Sequence, residues 1–221
     1  YFYWESGYPM QGMIATSNSL ISIVGDAVMK ISQTDGTLLG PQKVFAAAGQ
    51  FSSIERKNDL VILYTANAQL VLDTNLTVIK GFQYTTADPT RTLTLKGFSS
   101  ESGRFMQGDA MTVSGDNFSY LAEFDENGKV IQAYKYPEVF PNSLNVTASR
   151  TTNDLGVFAA SVTFSDYFNN FSLKDIFIIR TDGLLQIPNC PRISFPTKST
   201  PANFQFSDLT IRYYPLISTA Y

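Results

Sequence analysis

One short pattern is written four times along this chain: an apolar run, a polar turn centred on Asp with Gly or Asn, then a second apolar run ending in aromatic residues. The copies are Val28–Leu39 followed by Val44 and Phe45, Gln69–Ile79 followed by Phe82 and Tyr84, Tyr120–Ile131 followed by Tyr134 and Tyr136, and Ile176–Leu185 running on to Cys190. Tight hairpin turns need a positive φ at one or two central positions, which Gly and Asn reach cheaply, and an Asp side chain can cap the turn. Each copy therefore reads as a β-hairpin. The anchors Asp35, Asp73, Asp125 and Asp182 lie 38, 52 and 57 residues apart, the length of a four-stranded unit with variable loops.

Segments before the hairpins supply two further strands each: Gly12–Thr16 and Leu20–Val24, Phe51–Arg56 and Leu60–Tyr64, Leu93–Phe98 and Ala110–Ser114, Leu144–Ser149 and Gly156–Phe164. Helical periodicity is almost absent, and Ala46–Ala48 is too short to count. Runs of four strands at a repeat of about 40–50 residues predict an all-β, antiparallel fold, a β-propeller-like array of four-stranded units. About four units are expected, over 10–48, 49–88, 89–140 and 141–190. A β-sandwich is the alternative that the same hairpins would build. The segment 191–221 is broken by Pro191, Pro196, Pro201 and Pro215, yet Phe204–Phe206 and Leu209–Tyr214 alternate like strands. It is expected to close the ring or to be donated to a neighbouring molecule.

The stretch Asp175-Ile-Phe-Ile-Ile-Arg-Thr-Asp182-Gly183, followed by Asn189-Cys190, resembles the repeats of propeller modules in large secreted proteins of Bacteroidota bacteria. The likeness covers the four hairpins, about a third of the chain. It implies a propeller fold and a secreted or cell-surface setting. The Trp and Gly-Gly usual in the outer strands of those repeats are absent here.

Composition limits the chemistry. There is no histidine, which removes His-based acid–base catalysis, Ser-His-Asp and Cys-His nucleophiles, and the commonest zinc ligand. No Gly-rich phosphate loop follows a strand. Net charge is −3, and no Lys/Arg cluster offers the stripe that nucleic acid needs. Apolar runs such as Leu60–Tyr64 and Ile176–Ile179 are strand-sized, far short of the ~20 residues of a membrane-spanning helix. Charged residues make up only 16 % and aromatics 14 %, with Ser, Thr, Asn and Gln in place of the missing charges. Such a surface suits extended contacts outside the cell. The chain opens at Tyr1 without an initiator Met or an apolar signal core, as a processed chain would.

The candidate residues follow from this. Carboxylate catalysis of the glycosidase kind would draw on Asp26, Asp109, Asp116, Asp166 or Asp175, all beside Gly, Ser, Asn or Lys at expected strand ends. Solvated turn positions are the plainer reading, and no enzyme activity is expected. The propeller sialidase signature does not occur. Asp125-Glu-Asn127-Gly128 resembles the start of a calcium loop, but Tyr136 stands where the twelfth-position Glu belongs, so no metal and no cofactor are expected. Cys190, the single cysteine, reads as a small buried hydrophobe.

Binding is expected at aromatics: Tyr1, Phe2 and Trp4 at the start, Phe164, Tyr167, Phe168 and Phe171 in one loop, and Phe204, Phe206, Tyr213 and Tyr214 in the tail. Partners would be a second copy, another surface protein or a glycan. Sequons occur at Asn75, Asn117, Asn145 and Asn170, open to glycosylation if the chain is exported by a route that installs glycans. Together these readings predict a non-enzymatic extracellular structural or adhesive module, the subunit of a surface fibre. A glycan- or protein-binding propeller of a larger secreted protein is the alternative.

Overall fold

A computed structural model describes the backbone of residues 10–87, 98–99, 105–113, 116–125, 127–136, 145–151, 157–165 and 173–209, and side chains within 10–87, 121–136 and 180–208. Within these, every regular element is a strand except one 3-10 turn at Ala46–Ala48. Sheet 1 is a meander of β1 (Met10–Ala15), β2 (Ser19–Val24), β3 (Ala27–Ser32) and β4 (Gln42–Val44). Sheet 2 repeats it with β5 (Phe51–Lys57), β6 (Leu60–Thr65), β7 (Ala68–Asp73) and β8 (Val78–Thr86). Sheet 3 has β9 (Phe98–Ser99), β10 (Phe105–Val113), β11 (Asp116–Phe124) and β12 (Val130–Tyr136), and sheet 4 has β13 (Asn145–Thr151), β14 (Val157–Ser165) and β15 (Leu173–Arg180). All pairings are antiparallel.

The packing explains why β6 is apolar without alternation. Val61 and Leu63 point to one side, into a core with Ile21, Ile23 and Val28 of sheet 1. Ile62 and Tyr64 point to the other, into a core with Ala122 and Phe124 of sheet 3. A strand covered on both faces needs apolar residues at every position, so the period of two disappears from its sequence. Sheet 2 is thus the middle layer of three stacked sheets. Gly12 of β1 lies so close to Ile54 of β5 that a Cβ there would meet the Ile54 Cγ2 at 2.7 Å, and Arg56 Nη1 donates to the Ala15 carbonyl at 3.0 Å. First strands of neighbouring sheets therefore approach one another.

Three of the four Asp turns share one geometry. The Oδ1 of Asp73 accepts the amides of Asn75 and Thr77, that of Asp125 the amides of Asn127 and Lys129, and that of Asp182 the amides of Leu184 and Gln186, all at 2.8–2.9 Å. The fourth differs from expectation. In the first hairpin the cross-turn bond runs from the Ser32 amide to the Thr37 carbonyl and the turn is one residue longer, so Ser32, not Asp35, stands at the anchor position. The Asp35 carboxyl bonds only locally, and the Ser32 hydroxyl and the Thr37 amide and hydroxyl hold it below its ordinary value.

Positive φ also falls on unexpected residues: Leu76 (66°) and Leu185 (60°) rather than Asn75 and Gly183, alongside Gly36 and Gly128. Left-handed Leu costs about 1–2 kcal/mol. Both leucines are buried, and burying a Leu side chain returns about 1.5–3 kcal/mol. Since Asp125 holds two amides of its turn and Asp35 only the Thr37 amide, Asp125→Ala is expected to lower stability by about 1–3 kcal/mol. Asp35→Ala should lower it by less, which urea midpoints for the two variants would measure.

The tail takes a path the sequence did not announce. After Arg180 the Asp182 turn forms, but Pro188, Asn189 at φ 58° and Pro191 divert the chain, and sheet 4 has three strands among the described residues. The chain then lays β16 (Ile193–Ser194) on β12, β17 (Thr197–Pro201) on β8 and β18 (Ser207–Leu209) on β4. Sheets 3, 2 and 1 each gain a fifth, outermost strand from one continuous strap.

Candidate functional site

The outer edges and their strap form the most elaborated surface of the described structure. The strap carries few apolar residues, and three phenylalanines fix it. Phe195 is buried in the core between sheets 2 and 3, and its amide donates to the Ala133 carbonyl at 2.9 Å. Phe204 lies over Gly81, so close that a Cβ there would meet its ring at 2.5 Å, and it packs against the core between sheets 1 and 2. Phe206 lies 5.8 Å from Phe45, under the Lys43 ammonium at 4.1 Å, and Lys43 is paired with Asp208. Outside these pegs the strap is rich in Ser, Thr and Pro and carries Lys198, a composition that satisfies an inner edge while blunting the new outer one.

Several interior polar groups form core hydrogen bonds, while both amide atoms of the buried Gln42 and the Ser53 Oγ have no hydrogen-bond partner. Gln69 Nε2 donates to the Tyr64 hydroxyl at 2.7 Å, and the Tyr84 hydroxyl donates to Gln69 Oε1 at 3.1 Å. Tyr136 donates its hydroxyl to the Leu185 carbonyl, tying sheet 3 to the turn after β15. Burial pushes the phenols of Tyr64 and Tyr136 well above their ordinary range, against the opposing pull of Gln69 and Arg192 respectively. A phenol raised in the folded state keeps its full stabilisation below the unfolded value and loses it as pH rises. Stability should therefore fall above about pH 10, by about 1.4 kcal/mol per pH unit for each phenol. Urea titrations from neutral to strongly alkaline pH, read with phenolate absorbance, would show unfolding and ionisation together.

The expected site residues are distributed as follows. Phe204 and Phe206 lie within the strap and pack inward, Phe206 remaining partly exposed. Asn75 is exposed in its turn, with Lys30 Nζ at 3.5 Å from its Oδ1. Phe164 lies in β14, paired with Lys174, and not in the expected loop, and Asn117 and Asn145 lie in β11 and β13, with only their backbones described. Tyr1, Phe2, Trp4, Tyr167, Phe168, Phe171, Asn170, Tyr213 and Tyr214 lie outside the described residues.

Of the acids, Asp26 occupies the β2–β3 turn, and Asp109, Asp116 and Asp175 lie in strands β10, β11 and β15. Asp166 lies outside the described residues. Asp125 is a turn cap. Cys190 departs from the expected burial: it is half exposed, because the diverted chain leaves the sheet there. No three His, Cys, Asp or Glu converge among the described residues. What the sequence reading missed is the strap's course, for which the only local signal was the spacing of Phe195, Phe204 and Phe206.

No protein-family model matches the chain, and no curated protein does. Solved structures do. The WD40 domain of Pan2 from Neurospora crassa matches over 90 % of this chain and 66 % of its own length, with a TM-score of 0.51 and 10 % identity. The chain is an all-β, antiparallel, propeller-like array. It spans just under two thirds of that domain. Weaker likenesses are a protein of unknown function from Bacteroides caccae, at TM-score 0.38 and 10 % identity over 90 % of this chain and 89 % of that one, and KlHsv2 with its loop 6CD replaced by a Gly-Ser linker, at 0.34 and 8 % over 78 % and 71 %. Stacked four-stranded meanders with first strands converging distinguish the propeller-like array from the sandwich, whose two sheets would share one core. No helix of the described residues is long and apolar enough to cross a membrane.

Proposed function

We propose that this chain is a non-enzymatic structural or adhesive module of an extracellular or cell-surface assembly, the subunit of a fibre. The observation that carries the reading is the strap. An extended segment of this chain binds sheet edges of this chain three times over, by strand addition with aromatic pegs. That is the mode by which extended segments join sheet-edged subunits into polymers. The low charge, the Ser/Thr-rich strap and the likeness of the hairpins to secreted Bacteroidota propeller modules support the surface setting. The exposed sequon at Asn75 would carry a glycan in a source that installs them.

Interior polar groups such as Tyr64, Gln69, Tyr84 and Tyr136 are engaged in core hydrogen bonds, which supports a structural role. Electron microscopy of material taken directly from its source, beside the purified chain over a range of concentrations, tests the reading. Regular filaments are the expected result. Strictly monomeric particles in both preparations would overturn it.

A further inference from the structure

One turn sends the chain into the strap. Up to Leu185 the chain is held to sheet 3, since Leu185 is buried and its carbonyl accepts the Tyr136 hydroxyl. Residues Ile187–Cys190 then reverse the direction: the Cys190 amide donates to the Ile187 carbonyl at 3.1 Å, with Pro188 and Asn189 between them and Asn189 at φ 58°. A turn with Pro second and a positive φ third is one that Asn closes at small cost. Just beyond it the Arg192 guanidinium lies 4.2 Å from the Tyr134 ring and donates to the Leu184 carbonyl.

The seats of the strap are separate from what holds each sheet together. Sheets 1, 2 and 3 are four-stranded meanders already paired within themselves, and the strap adds only three, five and two residue pairs to their outer strands. Two seats are short because the outer strand bends before them. Ile79 is an extra residue in β8, between the Val71–Lys80 and Leu72–Val78 pairs, and Ile131 is one in β12, between the Glu123–Gln132 and Phe124–Val130 pairs. Such bulges bend a strand, and the strap pairs only beyond them, with 82–86 and 134–135.

Into the cores the strap sends single side chains, Phe195 between sheets 2 and 3 and Phe204 between sheets 1 and 2. Short ladders and aromatic pegs recognise the sequence of the strap and not the chain to which it is joined. The same seats therefore accept the same segment from another copy with every pair kept. Their complementarity to that occupant is the pairing already described, from Ile193 to Leu209.

We infer that the strap is exchanged between copies of this chain: residues 193–209 of one molecule occupy the outer edges of sheets 1, 2 and 3 of the next, with Ile187–Cys190 as the hinge. The inference rests on the assembly reading above and names the segment and the seats that serve it. Opening the turn gives up its one amide bond and the Arg192 contacts, while the strand pairs are remade on the neighbour. Extended, the six residues after Ile187 span about 20 Å, enough to cross from one molecule to an adjoining one. Exchange of an identical element is a low-cost route to association. A molecule that has donated its strap keeps its own seats open for a third copy, so the exchange runs head to tail and propagates.

A disulfide across one seat tests it. Thr86 and Thr197 are Cα partners, and the amide bonds from Ala87 to the Pro196 carbonyl and from Ala202 to the Gly81 carbonyl make theirs a non-hydrogen-bonded pair, where side chains stand closest. With Cys190→Ser to remove the native thiol, Thr86→Cys/Thr197→Cys joins the strap to whichever chain seats it. Assembled material, oxidised and run denatured without reductant, should give a ladder of covalent multimers. Assembled material whose disulfides all lie within single chains overturns the exchange and leaves the assembly reading intact. Covalent dimers with no higher species overturn the head-to-tail arrangement. The hinge supplies a second test that adds no cysteine. Asn189→Val makes the left-handed turn costlier and should strengthen association about tenfold in sedimentation, whereas Asn189→Gly should weaken it. Equal association of the two folded variants also overturns the exchange. Wild type that stays monomeric at every concentration overturns the assembly reading and the exchange with it.

Discussion

Gly128→Leu is expected to destabilise the chain by about 2–4 kcal/mol, although the equivalent positions of two other repeats already hold leucine. Gly128 has φ 72°, and a Cβ there would stand 2.3 Å from the Phe82 ring of the preceding sheet. Leu76 and Leu185 take the same left-handed backbone with their side chains buried. Backbone strain alone is therefore tolerable at this position, and it is the occupied space that forbids the change. Phe82 packs against the core of Ile62, Tyr64, Phe124 and Phe195, so it cannot yield without opening that core. Combining Phe82→Ala with Gly128→Leu should cost less than the sum of the two single changes, with a coupling of about 1–3 kcal/mol. Urea unfolding of the four proteins measures it. Additive costs would show that Phe82 does not fill the room a leucine would need.

Gly81→Val should have an effect of similar size by a different route. A Cβ at Gly81 would meet Phe204 at 2.5 Å and the Ala202 carbonyl oxygen at 2.8 Å, and backbone cannot swing aside as a side-chain tip can. The strap would lift from sheet 2, taking with it β17 and the seat of Phe204. Loss of a buried aromatic contact and of the edge ladder together should cost about 3–5 kcal/mol. Because the strap is also held at Phe195 and at Phe206, the lifted segment should be local. Hydrogen exchange would then rise at residues 82–86 and 197–202 and stay slow in β6 and β7. Rapid exchange throughout the core would show instead that the strap is integral to the array.

The position of Leu76 illustrates the limit of local signals. Asn75 beside it has the better turn propensity, and the sequence pattern places the positive φ there. The structure places it one residue on, because a left-handed Leu76 puts its side chain into the core with Val61, Leu63 and Leu72. Burial outweighs the backbone penalty, and burial is not visible within a turn. Asp35 is the same lesson reversed: it matches the motif, yet the one-residue-longer turn gives the anchor to Ser32.

The four turns and the antiparallel strands were legible in the sequence, because turn chemistry and two-residue periodicity act over a few neighbouring residues, whereas the returning strand expected after the Asp182 turn did not form. The sequence determined also that histidine chemistry is absent. Three-dimensional packing set the course of the strap, since residues 193–209 carry little apolar pattern and pair with edges 58 to 167 residues distant in sequence. It decided equally that β6 serves two cores at once. The bulges at Ile79 and Ile131 belong with these, because a bulge is a relation between two strands, and Val78-Ile79 and Val130-Ile131 alone read as ordinary strand starts.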